Sequence, residues 1–172
     1  MCRRLENLSK WTALFGATLL MPLLLLGTPT TAAAFGLQGL DARVGVTNPE
    51  GVDGTLALGA GLNFQEPGSH VHIMPNVMYW SEDGLSDVNA NVDASYHFER
   101  AGRVSPYLGA GLGMHFYSSD GPGDPGTDLG ANLFGGLMLP TSGPTFNFEA
   151  RAVVADRSQF GFLTGVTFNL GR

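Results

Sequence analysis

From Asp87 to Phe98 the chain reads DVNANVDASYHF, twelve residues in which polar and apolar side chains alternate without a break. Val88, Ala90, Val92, Ala94, Tyr96 and Phe98 fall on one side, and Asp87, Asn89, Asn91, Asp93, Ser95 and His97 on the other. A period of two marks a β-strand with one greasy and one polar face. The run is about twice the length of an ordinary globular strand. It also suffices for a membrane crossing, which takes roughly 9–11 residues in a tilted strand.

The same pattern opens at Leu85 and returns seven more times, over 39–47, 55–65, 70–80, 105–118, 128–139, 145–155 and 159–170. Turn chemistry separates the runs: Asn48-Pro49-Glu50-Gly51, Glu66-Pro67-Gly68, Glu82-Asp83-Gly84, SSDGPGDPGT from Ser118, and the Pro140–Pro144 stretch. Pro75 interrupts the third run, and a proline there predicts a β-bulge. No convincing helical period follows residue 34. Eight consecutive strands with short connections form an antiparallel meander, and closing it removes both edges. The pattern predicts an all-β fold, an eight-stranded antiparallel up-and-down barrel.

The first 34 residues read differently. Arg3, Arg4 and Lys10 precede an apolar stretch from Leu14 to Leu26, and Ala32-Ala33-Ala34 offers a small-residue cleavage site. That is the layout of a secretory signal peptide over 1–34, leaving 35–172 as one barrel domain. The only cysteine, Cys2, would leave with it, which excludes a disulfide scaffold. After residue 34 there are six Arg, no Lys and fourteen Asp plus Glu, a net charge near −8. A nucleic-acid binder needs a basic patch, so that class is excluded. No later apolar run reaches 18 residues, which excludes a helical membrane bundle.

Three features turn the greasy face outward, toward lipid. The polar face is poor in Lys and Glu, which a water-facing surface carries. Glycines 59, 61, 109, 111, 113, 130, 161 and 165 gather on it, as suits the narrow interior of eight strands. Tyr79, Trp80, Tyr96, Phe98, Phe116, Tyr117, Phe160 and Phe168 recur near strand ends, as the interfacial girdles of a transmembrane barrel do. PYLGAGLGMHFY at 106–117, DLGANLFGGLML at 128–139 and GFLTGVTFNL at 161–170 resemble strands of the small outer-membrane β-barrel superfamily that includes OmpA- and OmpX-like proteins. Such proteins often end in an aromatic residue, whereas Phe168 here is followed by four more residues.

The resemblance implies export to the bacterial outer membrane, with the N-terminus in the periplasm. The connections at 47–54, 81–86, 118–127 and 155–158 would then face outside, and those at 65–69, 99–105 and 140–144 the periplasm. The implied partners are outer-membrane lipid and the outer-membrane assembly machinery, with no nucleic acid, and the expected state is a monomer.

Arg43, Asp93, Glu149 and Arg151 fall on the inward face, with Asp41 and Asp87 nearer strand ends. A buried charge is costly unless paired, so these four are expected to form a polar network in the lumen. Arg43 and Glu149 should meet there, because the first strand closes against the eighth and the seventh is next. The expected role is a plugged barrel with a structural or surface-interaction function. The alternative is a narrow channel, or a conduit for small solutes or apolar compounds with a lateral opening near Pro75. His70 and His72 share a side but lack a third ligand, so no metal and no cofactor are expected. His97 and His115 read as lumen or interface polar residues. The last two strands contain no His, which removes the His–Ser arrangement of a lipid A deacylase, and no enzyme is expected. The glycine runs are not phosphate loops, because no helix follows them.

Overall fold

The computed structural model describes residues 35–99, 103–121 and 126–170; the expected signal segment, 1–34, lies outside them. Among the described residues every element is a strand: β1 (Gly36–Pro49), β2 (Thr55–Gln65), β3 (Val71–Glu82), β4 (Leu85–His97), β5 (Ser105–Ser119), β6 (Thr127–Pro140), β7 (Thr145–Val154) and β8 (Gln159–Asn169). Each pairs antiparallel with its sequence neighbours, and β1 pairs with β8 from Gly39↔Asn169 to Pro49↔Gln159. The sheet is thereby a closed barrel. The β3–β4 hairpin shows how locally the turns are set. Asp83 and Gly84 have φ of 51° and 71° between the paired residues Glu82 and Leu85. Both central positions need a left-handed backbone in this tight turn, which Asp-Gly accepts at little strain.

The barrel is inside-out relative to a water-soluble protein. Among the described residues, 29 large apolar side chains are exposed, whereas 20 of the 29 buried side chains named for the interior are polar or charged. An apolar belt on that scale far exceeds what a soluble monomer leaves in water. The alternation runs as expected along every strand, and it also corrects one expectation. Trp80 and Tyr117 do not join an interfacial girdle. Both point into the lumen and are buried, at 1% and 6% exposure, because their positions share parity with Met78 and His115.

Pro75 makes no bulge. Register on β4 is unbroken through Met74↔Asp93, Pro75↔Val92 and Asn76↔Asn91. On the β2 side the ladder skips the pairs opposite Met74 and Pro75, then resumes in the same register at Phe64↔Ile73. The proline therefore deletes local pairing without adding a residue, and the side chain stays on the outer face. The register shift instead lies in β1, between Leu37 and Gly39.

Glycines sit across the ladder from the largest inward side chains. Gly59 and Gly165 flank Arg43, Gly136 faces Glu149, Gly161 faces Arg151, Gly111 faces Asp93 and Gly109 faces Phe134. A Cβ on Gly109 would meet the Phe134 ring and stand 2.6 Å from the Ala94 carbonyl oxygen. Gly109→Val should therefore destabilise the barrel by about 1–3 kcal/mol through overpacking. Folded protein should run faster in an unboiled than in a boiled gel sample, and the variant should lose that faster band at lower urea. An unchanged urea midpoint would show that the interior has slack at this position.

Candidate functional site

The inward face of β4 supplies the spine of the lumen: Asp87, Asn89, Asn91 and Asp93, each one ladder step deeper than the last. Successive inward side chains on one strand lie close enough to hydrogen-bond, and the first three of these do. Asn89 donates to Asp87 Oδ2 at 2.9 Å, and Asn91 donates to Asn89 Oδ1 at 2.7 Å. Asn91 also donates to Asn76 Oδ1 at 3.1 Å, while Asn132 donates to Asn91 Oδ1 at 2.9 Å and to Asp93 Oδ1 at 3.0 Å. Asn76 adds a donor to Asp93 Oδ2 at 2.8 Å.

At its deep end the spine enters an ionic cluster. Arg151 Nη2 donates to Asp93 Oδ2 at 2.8 Å, and its Nε to Glu149 Oε1 at 2.9 Å. Arg43 Nη1 lies 3.3 Å from both oxygens of Glu149, and its Nε is bonded to Asp41. The structure thus brings Arg43, Asp93, Glu149 and Arg151 into one chain of contacts, with Asp41 as its end. All five are 7% exposed or less. Three carboxylates face two guanidiniums, and neutral donors offset the surplus negative charge. Tyr107 Oη donates to Glu149 Oε2 at 2.9 Å, Thr167 Oγ1 to Asp41 Oδ1 at 3.0 Å, and Asn147 to the same oxygen at 3.3 Å. The Arg151 guanidinium also stacks 4.4 Å over the Phe134 ring, a cation–π contact that a desolvated site strengthens.

Asp87 does not join that cluster directly. It lies nearer the end of the barrel that carries the β1–β2, β3–β4, β5–β6 and β7–β8 connections. There it pairs with His115 Nδ1 at 2.8 Å and accepts from Gln159 at 3.3 Å. His115 stacks on Tyr117, and Trp80, Met78, Ala57 and Leu163 close over the lumen with Val52 and Leu85 packed against them. A second apolar layer of Met74, Tyr107 and Phe134 lies toward the opposite end, with Met138 against it. Between the layers, the cavity beside Asn89, Asn91, Asn132 and Arg151 is about 30 Å³. That is room for about two waters, at ~10–15 Å³ of such volume each.

His70 and His72 do not form a pair. His70 lies outside the strands, its ring tilted 35° against that of Tyr96, whereas His72 turns inward and stacks on His97 at 3.8 Å. Sequence reasoning missed the Asp87–His115 pair. Its signal lies in register: once the β4–β5 hairpin is set, Asn89 faces His115 and Asp87 is its diagonal neighbour.

No protein-family model matches the chain. No curated protein matches it either. Solved structures do. Neisserial surface protein A aligns with a TM-score of 0.64 at 16% identity, over 77% of this chain and 95% of that one. The N-terminal β-barrel domain of Pseudomonas aeruginosa OprF aligns at 0.59 and 20% identity, covering 78% and 99%. The outer-membrane enzyme PagL aligns at 0.52 and 14%, covering 77% and 99%. The fold is that of the small eight-stranded outer-membrane barrels.

Glu149 is the joint between the two arginines, so its loss would leave two buried cations short of a partner. Glu149→Ala should lower stability by about 3–5 kcal/mol, and Glu149→Gln by less. Urea unfolding in phospholipid vesicles, followed by Trp80 fluorescence, measures both. Equal midpoints for wild type and Glu149→Ala would refute a stabilising role for the cluster.

Proposed function

We propose that the protein is a monomeric barrel of the bacterial outer membrane with a structural or surface-interaction role and no catalytic or conducting one. The exposed apolar belt calls for a bilayer, and the fold shared with outer-membrane barrels supports the outer membrane as its location. The observation that carries the reading is the blocked lumen: two layers of large apolar side chains enclose a hydrogen-bonded ionic cluster, leaving about 30 Å³. A hydrated solute cannot pass without breaking Arg43–Glu149 and Arg151–Asp93. PagL shows that this fold also serves an enzyme, so a non-enzymatic role has to be argued from side chains. Among the described residues His115 is the one histidine bonded to a carboxylate, and it is enclosed at 1% exposure, stacked on Tyr117.

A surface role falls to the end with the β3–β4 turn. Glu50, Asp53, Glu82, Asp83, Asp120, Asp128 and Asp156 stand in or beside the connections there, against Arg157 alone among the described residues. Such a face favours cationic partners and repels polyanions, and its effect on encounter falls with salt. Liposome-swelling assays test the plug. Wild-type protein should admit no sugar or amino acid above the lipid background, and Glu149→Ala should leak only where it remains folded by gel mobility. Solute uptake by the wild type would sink the structural reading and leave the channel in its place.

A further inference from the structure

The two mouths of the barrel differ. Among the described residues, the end with the 66–70, 98–104 and 141–144 connections lacks the apolar cap of the other and opens into a vestibule of about 310 Å³. That is the small end of the range for ligand pockets, about 300–1,000 Å³. Its polar side chains are held by the wall in a way that leaves specific atoms unspent. Asn63 Oδ1 accepts from His72 Nδ1 at 2.9 Å, which fixes the tautomer and leaves His72 Nε2 an acceptor and Asn63 Nδ2 a donor. Asn169 Nδ2 donates to the Gly143 carbonyl at 3.0 Å, leaving Oδ1. Ser105 Oγ donates to the Phe98 carbonyl at 3.0 Å, leaving its lone pairs.

Met138 and Pro140 add an apolar strip, and among the described residues no Asp, Glu, Lys or Arg lines the space. Asp41, which reaches the wall through Thr167, is already committed to Arg43. A lining of oriented donors and acceptors, without charge and with one apolar strip, selects a ligand that is neutral and rich in hydroxyls. Each hydroxyl both donates and accepts, and the C–H face of a sugar ring matches an apolar strip.

A metal fits less well. The His72 and His97 rings stack 28° from parallel, so their in-plane lone pairs run side by side instead of converging on one ion. His97 Nε2 is moreover engaged by Ser95 Oγ at 3.0 Å. Among the described residues no three His, Cys, Asp or Glu side chains gather in metal-binding geometry.

We infer that this vestibule, built on Asn63, His72, His97, Ser105 and Asn169, is a binding site for a single neutral sugar ring. The ring could be a free sugar or the end of a glycan polymer. The site does not depend on whether the lumen beyond it conducts.

Histidine-labelled barrel in lipid nanodiscs, followed by NMR of the ring resonances, tests this. Glucose, N-acetylglucosamine and a soluble N-acetylglucosamine tetramer serve as probes, with zinc chloride as a separate arm. His72 and His97 should shift saturably with at least one sugar, with a dissociation constant of about 1 mM. His115, at the far end, should not move. Tighter binding of the tetramer would assign the site to a polymer, and equal or weaker binding to a free sugar. Asn169→Ala and Asn63→Ala should each weaken binding about tenfold; Thr145→Val, another change in the lining, replaces any variant whose unboiled gel mobility shows that it has not folded. No saturable shift, equal movement of His115, or a response to zinc alone would overturn the assignment.

Discussion

Closure of β1 against β8 is the constraint from which the rest of the structure follows. In hydrocarbon no water is available to an open sheet edge, and each unpaired backbone group costs several kcal/mol. Eleven residue pairs between Gly39↔Asn169 and Pro49↔Gln159 remove both edges. Closing at eight strands also fixes the bore, and at that number the interior holds little more than its own side chains. Large and small residues must therefore alternate around the wall. Arg43 lies between Gly59 on one neighbour and Gly165 on the other, and Asp93 faces Gly111. The glycines are the counterpart of the charges.

A bore that narrow makes ionic side chains expensive unless their contacts are complete. The cluster approaches completeness by mixing charge with neutral donors. Two arginines cannot neutralise Asp41, Asp93 and Glu149, so Tyr107, Thr167, Asn147, Asn76 and Asn132 direct hydrogen bonds at the remaining lone pairs. The partners come from β1, β3, β4, β5, β6, β7 and β8, so the cluster ties the wall together from within. Seven strands meet at one set of contacts. A cluster so distributed resists ovalisation of the barrel as well as passage through it, which is why its structural and blocking roles are hard to separate by one substitution.

Much of this was legible in the sequence because a strand has a period of two and a bilayer selects apolar side chains for one face. Strand number, inward residues and the Arg43–Glu149 meeting followed from parity and barrel order alone. Three things did not. Trp80 and Tyr117 read as girdle residues by type, and parity, the stronger rule, sends them inward. Pro75 suggested a bulge because a missing donor usually forces one, yet the β4 side of the strand holds its register through twelve pairs. His72 was set beside His70 on parity, but strand β3 begins only at Val71, so the His70 side chain follows the turn and not the sheet. Composition could not show how completely the lumen is filled, since that depends on cross-strand register.

The two ends of the barrel show a division that the sequence pattern leaves hidden. Toward the β3–β4 turn the lumen closes under Trp80, Tyr117 and Leu163, and the acidic residues lie outside that seal. Toward the β2–β3 turn the lining turns to amides and hydroxyls, and the aromatic layer of Tyr107 and Phe134 lies deeper. His97 stacks on Tyr107 at 5.2 Å and on His72 at 3.8 Å, so this vestibule has an aromatic floor continuous with the ionic cluster through the Tyr107–Glu149 hydrogen bond. Occupancy of the vestibule and the integrity of the cluster therefore share Tyr107 as a common element. A ligand that shifted the His72–His97 stack would press first on Tyr107, and through it on the carboxylate that joins both arginines. At the other end the His115–Tyr117 stack reaches Asp87, which the asparagine spine joins to Asp93, and the Arg157 guanidinium lies 6.0 Å over the Tyr117 ring.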